Sequence, residues 1–349
     1  MAEEARTRAG RTRSGEPRFD VVGFGALNMD HLYAVPHLIQ DGGVEVLAST
    51  VQPGGSAANT IYGLAKLGLR CGFVGVVGDD DAGKAILQSF KRAGVDTGGI
   101  LVRPAVETGQ TICITAGQAQ KAIYIIPGAN SSLSSEDVDV SYLSDAGHVH
   151  LSSFVGESAF AQQLRAVERL PAQVGVSLAL DAVYARRGLD GLSALIERCT
   201  LLIANADELQ ELTGRDLRAS ARACLDTGCE IVVATFGSGR ALPGGTAASM
   251  IVARPPTGRR RGAIEHVVPA VKTHDGAVVD TTGAGDAFAT GFLFGLLEGR
   301  TLPVCGALGH TAAGFCLAEM GARAGLPNRQ DLLTRFNDKF RLLFAQEAG

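Results

Sequence analysis

The sequence predicts an α/β fold, a doubly wound and mostly parallel sheet with a small β-sheet lid. Three observations carry this expectation. Short, almost wholly apolar runs such as CGFVGVVG and TLLIA suit strands buried on both faces, as parallel strands are. They alternate with amphipathic stretches of helical period, which implies helices on both sides of the sheet. Two segments, about 31–53 and 107–127, break the rhythm with period-two alternation and read as hairpins of a separate lid sheet.

In chain order, FDVVGFG from Phe19 is the first buried strand, and NTIYGLAKLGL follows as a helix. CGFVGVVG is a strand, and DAGKAILQSFKRAG is a helix that stops at Gly94. HVHLSSF, VGVSLALD, TLLIA and EIVVATFG are further strands, separated by helices around AFAQQLRAVERL, LSALIERC and RACLDTG. Residues 240–279 carry the turn signals PGG, ARPP and TGRRRG between weak strands, with Arg259–Arg261 read as a solvated loop. AFATGFLFGLL is a buried helix. The folded domain is expected to span 19–340. Residues 1–18 form a disordered tail, lacking the apolar core of a secretory signal and carrying too many acids for a transit peptide.

Composition excludes several classes. A net charge of −4 with mixed signs gives no basic field for nucleic acid and no polybasic membrane surface. No apolar run reaches the ~18 residues that a membrane helix needs. Seven cysteines without CxxC pairing fit reduced thiols in a cytoplasmic protein. A small-molecule partner is therefore expected.

Two phosphate signatures fail on inspection. GDDDAGKA, residues 78–85, has Ala85 where a P-loop places Ser or Thr, and its three aspartates repel phosphate; it reads as a helix cap. VVGFGALN has Asn28 where a dinucleotide fingerprint needs its third glycine. Other clusters fall at strand ends. Asn28 and Asp30 in NMD, and Gly54, Gly55 and Asn59 in PGGSAANT, suit hydrogen bonding to hydroxyls of a polyol. Asn205 and Glu208 in NADE form either a capping box or a pair that holds hydrated magnesium beside phosphates. Thr235, Gly237 and Gly239 in ATFGSG suit a phosphate or a flat base. DTTGAGDAF, residues 280–288, feeds a glycine loop into a helix N-terminus, which attracts anions. Asp286 there is either a first-turn acid complementing the helix dipole or a group with chemistry to do.

Taken together, these residues resemble the ribokinase-like (PfkB) family of carbohydrate and nucleoside kinases from about Asp20 to Pro327. DTTGAGDAF is similar to the family's second signature, PGGSAANTIYGLAKLG with VGDDDAGK to its first, and NADE to its N-x-x-E motif; PGAN at 127–130 has the same look. The resemblance implies a ribokinase-like fold and an ATP-dependent kinase acting on a hydroxymethyl group of a sugar. An adenosine-type nucleoside kinase is the alternative, and a catalytically silent ligand-binding protein on the same fold a further one. It implies Asp286 as base, Gly283, Ala284 and Gly285 as the anion hole, and Asn28, Asp30, Gly54, Gly55 and Asn59 at the acceptor. Asn205 and Glu208 would organise Mg²⁺ through water, Thr235, Gly237 and Gly239 would line ATP, and Asp280 and Thr282 mark a K⁺ site. Ser152, Ser153 and Phe154 stand where usual ribokinases carry a glutamate for ribose. His310 stands where the family often has an adenine-side asparagine, and a core histidine is the favoured reading. A homodimer through the lid is expected.

Overall fold

A computed structural model describes residues 16–116, 120–242, 245–255, 262–273, 276, 278–341 and 343. The expectations for most of the N-terminal tail and for Arg259–Arg261 lie outside the described residues. The chain runs β1 (Phe19–Phe24), β2 (Asn28–Val35), β3 (Ala48–Gly54), α1 (Ser56–Lys66), β4 (Cys71–Gly78), α2 (Asp81–Ala93), β5 (Asp96–Arg103), β6 (Gly109–Ala116) and β7 (Gln120–Ile126). A 3₁₀ turn (Gly128–Ser132) leads to α3 (Val140–Ser144), β8 (Ala146–Leu151), α4 (Glu157–Glu168), β9 (Gly175–Ala179), α5 (Ala182–Ala185), α6 (Gly188–Glu197), β10 (Leu201–Asn205), α7 (Ala206–Thr213) and α8 (Leu217–Thr227). The chain closes with β11 (Ile231–Leu242), β12 (Gly245–Ala253), β13 (Ile264–Pro269), α9 (Ala284–Leu297), α10 (Leu302–Cys316) and α11 (Arg329–Phe340).

Nine strands form the main sheet in the order β13-β12-β11-β10-β9-β8-β1-β4-β5, with β12 and β13 antiparallel at one edge. The apolar runs have the predicted cause. Successive side chains pack on opposite faces: Val22 and Phe24 join one core cluster while Val21 joins the other, and Leu202 and Ala204 alternate likewise with Leu201 and Ile203. Helices α3 to α8 cover the first face, and α1, α2, α9, α10 and α11 the second. Strand order reverses between β1 and β8, so the crevice beyond their carboxyl ends is the natural ligand site of such a sheet.

The lid is a four-stranded sheet, β3-β2-β6-β7, with β2 and β6 parallel and the outer pairs antiparallel. Asn28 and Asp30 therefore open a lid strand and do not end the first strand as the sequence reading had them. Gly25 lets the chain between the two strands pass close to β8's end, because a Cβ would come within 2.5 Å of Ser152 Oγ. Strand β5 went unread because Gly98 and Gly99 look like breakers. Gly99 is there for close approach, since a Cβ would lie 2.7 Å from Phe73 O and 2.9 Å from the Tyr142 ring. The weak strands expected after residue 240 are two full antiparallel strands, β12 and β13. GDDDAGKA caps α2 as expected: Asp80 accepts from Gly83 N at 2.7 Å and from Thr108 N and Oγ1.

Candidate active site

A cleft of about 390 Å³ lies between the lid and the carboxyl ends of β1, β8, β9, β10 and β11. Its floor is the N-terminus of α9. Gly283 caps that helix at φ 77°, a left-handed value, and has no space for a side chain, because a Cβ would sit 2.3 Å from Ala322 Cβ. A Cβ on Gly285 would meet nothing within 4 Å; the position opens onto the cleft. The Gly285 and Asp286 amides belong to the first turn, where an α-helix offers them no acceptor of its own. Ala284 differs from the rest of the expected anion hole. Its N–H turns back to Thr281 O at 3.2 Å, and it does not line the cleft.

Asp286 projects from this turn towards the start of α1. Ser56 Oγ donates to its Oδ1 at 2.7 Å and Asn59 Nδ2 to its Oδ2 at 2.8 Å. The two helices meet closely because Gly63 has no side chain; a Cβ there would lie 2.7 Å from Thr290 Cγ2. Thr290 Oγ1 also donates to Asp286 O at 2.9 Å, and Thr60 Oγ1 to the same carbonyl at 3.3 Å. Helix α1 starts where it does because Gly55, at φ 102°, passes within reach of Ala26 O, where a Cβ would be 2.2 Å away.

Asp30 faces the cleft from β2, paired in register with Thr111 on β6, whose side chain works against the rise of its pKa. Gly54 lies against it: a Cβ would overlap Asp30 Oδ2 at 1.8 Å. Gly54 itself is not part of the cleft lining. Asn28 accepts from Asn130 Nδ2 at 3.0 Å, and Asn130 also accepts from Leu27 N and donates to Leu27 O and Pro127 O, so the PGAN turn fixes the strand that carries Asn28 and Asp30. Ser152, Ser153, Val155, Ile123 and Ile125 complete this side.

Across the cleft, Asn205 and Glu208 form a reciprocal capping box on α7, each side chain meeting the other's backbone N–H at 2.8 Å. Both still line the cleft, together with Thr235 and Asp181. Asp181 caps α5 and accepts from Ser153 Oγ. Gly237 and Gly239 lie outside the lining, at φ 54° and 107°, where the pairing of β11 with β12 shifts register between Thr235 and Arg240. Asp280 is buried behind Thr282. Its Oδ1 accepts from Thr282 N and Oγ1, and its Oδ2 from Gly321 N at 2.9 Å. His310 points away from the cleft, bonded to Ser249 Oγ at 3.0 Å and packed edge-on against Phe288.

Desolvation raises three carboxyls here: Asp286 and Asp30 to about 6, and Glu208 to about 7. Hydrogen bonds from Asn59 and Ser56 and the charges of Lys121 and Arg323 oppose the rise at Asp286. The sequence reading names Asp286 as base without its pKa, which burial raises. It also passed over Ser56, Lys121, Asp181 and Arg323. Ser56 and Asp181 carried a signal, since Ser56 lies within PGGSAANT and Asp181 ends the strand VGVSLALD. Lys121 and Arg323 carried none, because the lid and the segment after α10 bring them in from far along the chain.

The family model for pfkB family carbohydrate kinases matches residues 18–329. An uncharacterised sugar kinase of Archaeoglobus fulgidus is 33% identical over 272 residues, which are 77% of this chain and 100% of that protein. The aminoimidazole riboside kinase of Salmonella typhimurium is 30% identical over 76% of this chain and 84% of its own length. The structure of Arabidopsis thaliana ribokinase complexed with ribose and ATP superposes with a TM-score of 0.72 at 26% identity, covering 92% of this chain and 99% of that one.

Proposed function

The chain belongs to the pfkB family of carbohydrate kinases, and from that premise we propose that it transfers the γ-phosphoryl group of ATP to a hydroxymethyl group of a sugar. It is a sugar or nucleoside kinase of the ribokinase family, a phosphotransferase with an alcohol group as acceptor. The observation that carries the finer reading is the seat of Asp286, gripped from behind by Ser56 and Asn59 and set beside the open Gly285 in the cleft that Asp30 enters. Held this way, the carboxylate keeps lone pairs for one acceptor hydroxyl. It orients that oxygen towards the γ-phosphorus and takes its proton as the new O–P bond forms and the bond to the β-bridging oxygen breaks. The Gly285 and Asp286 amides and the α9 terminus face the charge that builds on the transferring oxygens. Asn28, Asp30 and Asn59 recognise the other hydroxyls, with Gly54 and Gly55 giving the backbone room to do so.

Asp181 and Glu208 fit a magnesium ion held through water: both are hard oxygen donors on the nucleotide side. Among the described residues no three His, Cys, Asp or Glu side chains converge into a cage, which leaves hydrated binding as the mode. Mg²⁺ bound there neutralises phosphate charge. Thr235 and the turn of Gly237 and Gly239 border the nucleotide. A K⁺ ion by Asp280 and Thr282 belongs to the same proposal: a buried carboxyl and a threonine hydroxyl there are hard oxygen donors of the kind such an ion takes. Seven free, buried cysteines support a reducing, cytoplasmic setting.

A nucleoside acceptor is the second reading. Ile123, Ile125 and Val155 line the acceptor side, an apolar wall that suits a nucleobase. One experiment separates the readings: ADP release from MgATP with pentoses, hexoses, keto-sugar acids and nucleosides, with K⁺ or a bulky monovalent cation. Turnover on a sugar supports the first reading and turnover on a nucleoside the second. Asp286→Ala should lower kcat roughly a thousandfold. Activity within several-fold of the parent would remove Asp286 from this role.

A further inference from the structure

Arg323 is a buried guanidinium in the segment between α10 and α11, only 7% exposed. It enters beneath the start of α1, between the rings of Tyr62 at 5.0 Å and Phe90 at 5.2 Å. Nε donates to Asn59 Oδ1 at 2.8 Å, Nη2 to Gly54 O at 3.4 Å and Nη1 to Ser89 Oγ at 3.3 Å. It does not line the cleft and reaches it only through Asn59 and Gly54.

We infer that Arg323 is a positioning residue for the phosphoryl-transfer reaction, holding Asn59 in the one amide orientation that serves Asp286. The inference rests on the kinase reading above. An amide side chain has two orientations of nearly equal shape, and its neighbours decide between them. A guanidinium can only donate, so Asn59 must turn Oδ1 towards Arg323. Nδ2 then points at Asp286 Oδ2, an ionised acceptor. Without the guanidinium, Asp286 alone would hold the amide against a flip, and Asn59 Oδ1 would lose its donor, leaving the side chain fixed at one end only. The same fork holds the Gly54 carbonyl, and Gly54 lies against Asp30, so one cation ties both acids of the acceptor side to one frame.

The charge has a second consequence. Arg323 opposes the rise of both Asp286 and Asp30, and burial pushes its own pKa down to about 10, still fully protonated at neutral pH. The other charged or titratable groups that face Asp286 are Lys121 from β7, Asp30 from β2 and Cys316 from α10. Lys121 is the remaining cation of that set, and it is exposed on the lid. Removing Arg323 therefore strips the buried cation from two buried acids.

The test compares Arg323→Met and Arg323→Lys with the parent. Two quantities are read: the pH profile of kcat, and the carboxyl ¹³C titrations of Asp286 and Asp30, assigned with Asp286→Asn and Asp30→Asn. Arg323→Met should lower kcat about tenfold or more and move the acid limb and both titrations up by about one pH unit. Arg323→Lys should leave the acid limb near the parent's while kcat stays several-fold low, because an ammonium cannot reproduce the fork. A folded Arg323→Met whose limb and titrations overlay the parent's, with loss only in proportion to the folded fraction, overturns the inference. Should Arg323→Met not fold, parental kcat in folded Arg323→Lys overturns it equally. The titrations need no turnover, so they report on Arg323 even where no acceptor is phosphorylated, a result that would count against the kinase reading alone.

Discussion

Asp286 and Asp30 are acids held partly against their own charge. Their folded pKa values of about 6 lie above the usual carboxylate range, so they favour the folded state most fully below about pH 4, and that contribution is lost as pH rises through 6. Function runs the other way. Only the ionised Asp286 can accept the hydroxyl proton, so kcat/KM should fall about tenfold per pH unit below pH 6 and level off near 7. A profile flat to pH 5 would show that Asp286 ionises there as an ordinary surface acid. Asp286 and Asn59 were legible because each sits in a short motif whose glycines announce an unusual backbone, and Asp30 because a polar cluster, NMD, follows a buried strand. Arg323 was not, because its meaning lies in Asn59, 264 positions away, and a lone arginine in GARAGLP carries no periodicity or turn signal.

At the scale of elements, the decisive contact is the crossing of α1 and α9. Gly63 permits it, and it brings Ser56 and Asn59 to Asp286. Gly63→Ala gains helix propensity but drives a methyl towards Thr290 Cγ2 and Oγ1, each 2.7 Å from the ideal Cβ position. The helices must part by a few tenths of an ångström, enough to lower kcat about tenfold. Adding Thr290→Ala removes the obstructing atoms and should recover most of that loss; a double variant no better than the single would refute the crossing argument. Most helices up to α9 were readable from period and caps, as Asp80 before α2 and Asn205 before α7 illustrate, while the short α3 and α5 and the last two, α10 and α11, were not. Strand β5 and the start of the lid were not. In both, glycine serves packing against a distant side chain, and a sequence cannot tell such a glycine from a turn.

At the scale of the whole molecule, the outer face of the lid presents an uncovered apolar surface among the described residues. Val51, Tyr124 and Ile126 are 57%, 60% and 46% exposed, and the strand register puts Val51 and Tyr124 on the same side, away from Asp30. Such a face invites association. The proposed lid dimer should therefore sediment as two chains at micromolar concentration, and Tyr124→Glu with Val51→Lys should yield monomer; a parent that is monomeric throughout would remove the dimer. By itself the sequence determined the fold class, the alternation of strands and helices, and the glycine-marked loop that bears Asp286. Those are local matters, set by hydrophobic period and by backbone angles open only to glycine. Which side chains meet in the cleft was decided by tertiary structure alone. Lys121 arrives on a lid strand, Arg323 on a late loop, and Ser56 by a helix crossing, because burial and hydrogen bonding act between neighbours in space and leave no mark of spacing along the chain.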